Sequence, residues 1–209
     1  MRLTGWADVP LSGRGREQAN QAGADLRGRG VVADVCYSSC LRRAIDTRDL
    51  LLAALGAAPA LRESWRINER HYGALQGLRW WRAAWRFGFG VVYRCTREFD
   101  ARPPLDKAPE VPAVDAGIAR SDANEWREAQ RGESLADALR RFLPLWVAEI
   151  APALRSGACV FIVAHNNLLR GLIGHLEGGR ERPMGRLATA RPYVFELDSE
   201  LHVVRRVTL

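Results

Sequence analysis

The sequence predicts an α/β domain, a mostly parallel sheet flanked by helices, and three observations carry that prediction. Val31 to Tyr37 is a strand-length run that mixes valines with Ala33 and Cys36, and Ser38-Ser39 closes it with a capping residue. Leu41, Ala44, Ile45, Leu52 and Leu55 then recur at helical spacing, completing a strand-to-helix step. Ala158 to Ala164 is a second apolar run, rich in β-branched and aromatic residues, as expected of a central parallel strand, and a helix over Leu168 to Leu176 follows. With 209 residues and no internal repeat, a single domain over 1–209 is expected.

The remaining elements follow in order. After Leu11-Ser12-Gly13, Ala19, Ala22 and Leu26 mark a first helix with Ser12 as N-cap. Between Arg79 and Gly90 a helical projection sets Arg79, Arg82 and Arg86 on one side and Trp80, Trp81, Ala84, Trp85 and Phe87 on the other. That helix is expected to lay its tryptophan face on the domain body rather than on a membrane or partner. Asp100 to Gly132, with Pro103, Pro104, Pro109 and Pro112 and no sustained period, reads as a long loop or lid, so that 79–131 forms a cap of helix and loop. Gly132-Glu133-Ser134 opens a helix with Leu135, Leu139, Phe142, Trp146 and Ile150 inside, kinked or restarted at Pro144. Tyr193–Leu197 and Leu201–Val207 form a closing hairpin across Asp198-Ser199-Glu200.

The formal charge of +7 suits an anionic partner, whether nucleic acid, membrane surface or small phosphates. Lys107 is the only lysine in a chain rich in arginine, alanine and glycine, so the charge reflects composition and only an arginine's placement is informative. Cys36, Cys40, Cys95 and Cys159 lack Cys-x-x-Cys spacing and the four histidines complete no zinc pattern, so buried free thiols in a reducing cytosol are expected. No secretory signal is visible, and the longest apolar run, Leu50 to Leu61, is broken by Gly56 and Pro59 and is too short to cross a bilayer. A soluble, cytoplasmic protein is expected, with neither nucleic acid nor membrane as partner.

Four places could carry chemistry. Asn68-Glu69-Arg70-His71-Tyr72-Gly73-Ala74-Leu75-Gln76-Gly77-Leu78 sets acid, base, imidazole, phenol and amide between glycines, as a displayed site or as a surface turn with scattered charge. Arg42 and Arg43 stand in a helix's first turn, where the macrodipole disfavours cations unless an anion compensates; free N–H groups plus guanidinium would cradle phosphate. The same arginines could equally point into water. His165 ends the apolar strand at the crevice where open α/β sheets bind ligands. Glu133 suits a first helical turn on dipole grounds alone.

The loop from Asn68 to Leu78 matches, residue for residue, the signature loop of the cofactor-dependent phosphoglycerate mutases, a branch of the histidine phosphatase superfamily. Thr4-Gly5-Trp6, Ser39 to Thr47, Gly132-Glu133-Ser134-Leu135, Ala164-His165 and Leu169-Arg170 keep that family's order over almost the whole chain, which therefore resembles it. The resemblance implies a three-layer fold and assigns catalysis to Glu69, His165 and Arg43. It assigns substrate contacts to Thr4, Gly5, Arg70, Tyr72, Arg97, Asn166 and Asn167, and gives Glu133 the task of orienting a catalytic histidine. It further implies a small phosphorylated substrate, 2,3-bisphosphoglycerate as primer, no permanently bound cofactor, no metal, and a possible homo-oligomer.

Departures matter too. The family has lysine at Trp80, an arginine pair at Thr96 and Arg97, and glycine at Asn166, so a charge that would draw a carboxylate or phosphate is exchanged for indole. The family's central N-terminal strand, with its Arg-His-Gly triplet, has no counterpart among these residues, and no other histidine stands in for the nucleophile by position. Such a chain is expected to be inactive or nearly so. The readings are a mutase or phosphomonoesterase whose start is recorded short, a pseudoenzyme holding phosphorylated ligands or a partner, and a basic surface binder using the Arg/Trp helix.

Overall fold

The computed structural model describes residues 2–106, 118–178 and 187–209. Pro109 and Pro112, assigned above to a loop, lie outside the described residues. In chain order the elements are α1 (Gly13–Gly28), β1 (Val35–Ser38), α2 (Arg42–Leu55), β2 (Ala60–Glu63), α3 (Trp80–Phe87), α4 (Phe89–Arg97), α5 (Ala123–Arg131), α6 (Leu135–Leu145), α7 (Ala151–Arg155), β3 (Val160–Val163), α8 (Asn166–Leu176), β4 (Tyr193–Leu197) and β5 (Val203–Thr208). The chain divides into two compact units: one of Met1–Ala7 with Glu69–Arg141, the other of Asp8–Asn68 with Phe142–Leu209.

The second unit holds the sheet. β2, β1 and β3 run parallel in that order, with Ser38 opposite Glu63 on one side and Val163 on the other. β1 therefore takes the centre, and β3, expected there, pairs on one side only among the described residues. Burial agrees: Cys36, Tyr37 and Ser38 are buried, while every residue of β3 is half-buried. β2 is a strand that periodicity did not announce, because all four of its residues are exposed at the sheet's edge. Arg48, buried in α2, ties the strand ends together by donating to Ser38 Oγ at 3.0 Å and Glu63 Oε1 at 2.7 Å.

Ser12 caps α1 as expected, its Oγ accepting from the Gly15 N–H at 3.1 Å. Ala22 and Leu26 of that helix join Cys36, Leu51, Leu52 and Leu55 in the core, against which Phe161, Val163, Val194 and Leu209 pack. The expected hairpin forms, β4 antiparallel to β5. Pro144 lies inside α6, and the helix yields just beyond it, Trp146–Ile150 adopting π-helical turns before α7. A proline supplies no N–H to the ladder, which accounts for the change of winding.

In the first unit Leu3, Tyr72, Leu75, Ala83, Val92 and Cys95 form the core, with Leu78, Trp80, Ala84 and Phe87 packed on it. The Leu3 N–H donates to the Leu78 carbonyl at 2.9 Å and the Gly77 N–H to the Leu3 carbonyl at 2.7 Å, so the first residues are stitched to the Asn68–Leu78 loop. Three expectations are corrected here. The amphipathic segment is two helices, not one, because Gly88 at φ +91° ends α3 and α4 begins at once. Trp81 and Trp85 do not lie on the body: they are exposed, and Ala83 fills the buried position. Within Asp100–Gly132, α5 interrupts the expected loop, burying Trp126 and Ala129 one turn apart.

Gly73 is where the loop tolerates no side chain. Its φ is +52°, and a Cβ would stand 2.4 Å from the Pro104 carbonyl oxygen and 2.8 Å from that of Arg131. Both neighbours are backbone and cannot swing aside. Gly73→Ala is therefore expected to cost more than about 2 kcal/mol, read as a lowered urea midpoint.

Candidate functional site

In the second unit two strand-to-helix junctions stand side by side. Ser39 follows β1 and His165 follows β3 by two residues; the strands are neighbours, and the Ser39 N–H donates to the Val163 carbonyl at 3.2 Å. Parallel pairing puts the N-termini of α2 and α8 at the same end of the sheet, the crevice where such sheets take ligands. Positive dipole ends meeting at one place favour an anion.

His165 Nε2 lies 2.8 Å from Ser39 Oγ, and both residues are buried. Ser39 has one hydroxyl proton, which it gives to Asn68 Oδ1 at 2.8 Å, while its oxygen accepts from the Leu41 N–H at 3.1 Å. With that proton committed, Nε2 of His165 is the donor in the pair. Ser39 and Asn68 thus hold His165 in one tautomer and orientation. No local pattern marks these two residues, since their contacts lie 126 and 29 residues apart in sequence.

The backbone at the start of α2 is less open than expected. The N–H groups of Cys40, Leu41 and Arg42 donate to Asn68 Oδ1 at 3.1 Å, Ser39 Oγ at 3.1 Å and Asp8 Oδ1 at 2.7 Å. The cradle of free N–H groups is already filled by side chains. Arg43 is half-buried in the same first turn. At the start of α8 Asn166 donates from Nδ2 to the Leu187 carbonyl at 2.9 Å, and Asn167 Oδ1 accepts from Arg170 at 3.2 Å.

The first unit gathers Thr4, Gly5, Glu69, Arg70, Tyr72 and Glu133. The Thr4 carbonyl accepts from the Ala7 N–H at 2.9 Å, and Gly5, at φ +50°, lies too close to Gln76 and Tyr72 for a Cβ. Glu69 is buried; its Oε1 accepts from the Arg70 N–H at 2.9 Å, and its carbonyl accepts from the Trp6 indole. Arg70 is 1% exposed, lies 4.6 Å from the Tyr72 ring and donates to the Cys95 carbonyl. Its guanidinium is turned into the core of its unit. Arg97 stands apart, exposed in the last turn of α4.

Glu133 is the hub of the loop. Its Oε2 accepts from the His71 N–H at 2.9 Å, and Arg141 grips both oxygens, Nε at 2.6 Å from Oε1 and Nη2 at 3.1 Å from Oε2. Both charged side chains are buried. Burial is the larger influence on the Glu133 carboxyl and raises its pKa, while Arg141 and the His71 N–H act the other way. Arg141 also sits 5.5 Å from the Trp6 ring. Nothing in an arginine-rich sequence marks this arginine as buried. Ser134 and Asp137 close the entry to α6 with reciprocal bonds, Asp137 Oδ2 accepting from the Ser134 hydroxyl at 2.8 Å and Ser134 Oγ from the Asp137 N–H at 3.1 Å.

His71 is buried beside Trp6, and its Nδ1 accepts from the Gly73 N–H at 3.1 Å. Burial, against Asp106 and with Arg141, lowers its pKa from 6.5 to about 4. Between those values the unfolded chain binds a proton that the folded chain refuses, so stability rises with pH across the window and is complete above it. The expected gain is about 3 kcal/mol. Chemical denaturation from pH 4 to 7 should show that rise, and His71→Gln should flatten it.

Among the described residues no cluster of three His, Cys, Asp or Glu side chains could hold a metal ion, and no helix is long and apolar enough to cross a membrane. The cysteines are free thiols, but only Cys36 and Cys95 are buried as expected; Cys40 is exposed and Cys159 half-buried, each standing at an end of an element.

Residues 1–113 match the family model of the histidine phosphatase superfamily (branch 1). The chain is 39% identical over 216 residues to the 2,3-bisphosphoglycerate-dependent phosphoglycerate mutase of Enterococcus faecalis, covering 100% of this chain and 92% of that one. It is 38% identical to 2,3-bisphosphoglycerate-dependent phosphoglycerate mutase 1 of Nitrosomonas europaea, covering 99% and 89%. Among solved structures, mycobacterial glucosyl-3-phosphoglycerate phosphatase complexed with VO3 superposes with a TM-score of 0.69 at 25% identity, over 99% of this chain and 88% of that one. The alpha-ribazole phosphatase of Shigella flexneri, at 20% identity, shares the fold with a TM-score of 0.66 over 98% and 86%. Two strand ends meeting at a tethered histidine, the loop held by Glu133 and relatives matched over 92% and 89% of their lengths agree: the chain belongs to the 2,3-bisphosphoglycerate-dependent phosphoglycerate mutase family, within the histidine phosphatase superfamily.

Proposed function

We propose that this chain binds phosphoglycerates for phosphoryl transfer between the 3- and 2-hydroxyls, and that the 209 residues lack the phosphoryl acceptor and, with Trp80 and Thr96 in place of cations, keep only part of the family's grip on substrate. The single observation that carries the reading is His165 held by Ser39 at the junction of two parallel strand ends, where two helix N-termini favour an anion. In this reading Arg43 and His165, whose Nδ1 must carry a proton as well while Nε2–H stays on Ser39, hold the phosphoryl oxygens, and Glu69 is assigned the proton exchange with the substrate hydroxyl. Thr4, Gly5, Asn166 and Asn167 keep their family assignment to substrate, with 2,3-bisphosphoglycerate as primer, whereas Arg70 and Tyr72, buried in the core of their unit, and Arg97, which stands apart, are not asked to touch it.

Transfer through phosphohistidine requires a ring nitrogen to attack phosphorus as the sugar-acid oxygen leaves. In the family that nitrogen belongs to an Arg-His-Gly triplet absent from the 209 residues. The histidines present are otherwise engaged: His71 accepts from Gly73, His165 bonds Ser39, His175 packs edge-on to Trp146, and His202 lies against Asp198. Binding without turnover is therefore proposed for these residues by themselves. A phosphomonoesterase reading is favoured by one observation, Trp80 in contact with Phe89 at 5.3 Å where the family has a lysine.

Calorimetric titration with 3-phosphoglycerate, coupled to assays for 2-phosphoglycerate and released phosphate, tests the proposal. Saturable binding without product is expected. No binding would overturn the ligand assignment, and sustained mutase or phosphatase turnover by the 209 residues would overturn the missing-acceptor assignment.

A further inference from the structure

Helices α3 and α4 carry side chains that neither the core of their unit nor the proposed chemistry uses. Trp81, Trp85, Phe89 and Tyr93 are 58%, 88%, 63% and 49% exposed. They recur at every fourth position across the break at Gly88, while Ala83, Val92 and Cys95 take the buried side. The rings are braced: Phe89 stacks on Tyr93 at 5.9 Å and meets Trp80 edge-on at 5.3 Å, and Arg82 lies 5.2 Å from the Trp81 ring. A partner would spend little ordering them. Arg79, Arg82, Arg86, Arg94 and Arg97 lie in the same 79–97 stretch, all five exposed, with no aspartate or glutamate among them.

We propose that the α3–α4 surface docks onto anionic phospholipid bilayers. Exposed indole on short amphipathic helices flanked by arginine is the composition of an interfacial membrane helix, the rings entering at headgroup level and the cations meeting lipid phosphate. A second copy of the chain is a poorer occupant, since a two-fold contact through this face would set five arginines against five. Single-stranded nucleic acid stacks successive bases on a row of open rings, and here Arg82 lies over Trp81 and Tyr93 stacks on Phe89, which leaves Trp85 by itself. The expectation that membranes are not partners rested on tryptophans packed inward; two of them face out.

The test is sedimentation of the full chain with phosphatidylcholine vesicles, with and without phosphatidylglycerol. Binding is expected only to the anionic vesicles, with a blue-shifted tryptophan emission that added salt reverses. Trp81→Ala with Trp85→Ala, and separately Arg82→Gln with Arg86→Gln, should each weaken partitioning about tenfold or more, with circular dichroism and 3-phosphoglycerate affinity unchanged. Equal binding by the variants, equal binding to neutral vesicles, or no binding to either would overturn the proposal. So would a wild-type dimer that Trp81→Ala/Trp85→Ala dissolves, or retention on single-stranded oligonucleotide without vesicle binding.

Discussion

Glu133→Ala is expected to destabilise the protein by about 3–5 kcal/mol, a large share of what holds a domain of this size together. Arg141, buried with Glu133 near the Trp6 ring, would lose the carboxylate that grips its guanidinium, and the His71 N–H would lose its acceptor. Removing one member of a buried pair costs far more than the pair itself contributes, because desolvation is no longer repaid. The double change Glu133→Leu/Arg141→Met, which removes both charges, should recover more than half of the loss. Urea unfolding measures both; a cost under about 1 kcal/mol for Glu133→Ala would show that water or another anion reaches Arg141.

Arg43→Gln should weaken 3-phosphoglycerate binding about a hundredfold, the loss of one charge-assisted contact to a partly desolvated anion. The backbone at the start of α2 is hydrogen-bonded to the side chains of Asp8, Ser39 and Asn68, and circular dichroism of the variant should show the helix retained. Ser39→Ala is a sharper probe of the same place. It would leave His165 Nε2 without the oxygen it donates to and Asn68 Oδ1 without one of its donors, the Cys40 N–H remaining, and so lower affinity without removing a charge. Calorimetry at two salt concentrations separates the cases: the Arg43 change should reduce the salt dependence of binding, and the Ser39 change should leave it intact.

What could be read from the sequence follows from what hydrophobic period encodes. Val35–Ser38, Val160–Val163 and the helices around them announce themselves because one face or both must be apolar, and His165 is legible as the residue that ends such a run. β2 is illegible for the converse reason: Leu61, Arg62 and Glu63 sit at an exposed edge and satisfy no alternation. Period also reveals which residues share a face without telling which face turns inward. Hence the expected tryptophan face divides: Trp80, Ala84 and Phe87 pack on the core beside Ala83 and Val92, while Trp81 and Trp85 face out. The helix break at Gly88 and α5, with only Trp126 and Ala129 buried, are too slight in pattern to stand out. Glu133 and His165 stand in motifs, whereas Arg141, which grips Glu133, and Ser39 and Asn68, which hold His165, act through long-range contacts that no local pattern records.

The most direct measurement is a crystal structure of the 209-residue chain soaked in vanadate or tungstate. The oxyanion should lie where β1 and β3 end, in hydrogen-bonding reach of His165 and Arg43, with the Ser39–His165 contact intact. Density for the oxyanion elsewhere, with that end of the sheet holding only water, would contradict the assignment of phosphate binding to these residues.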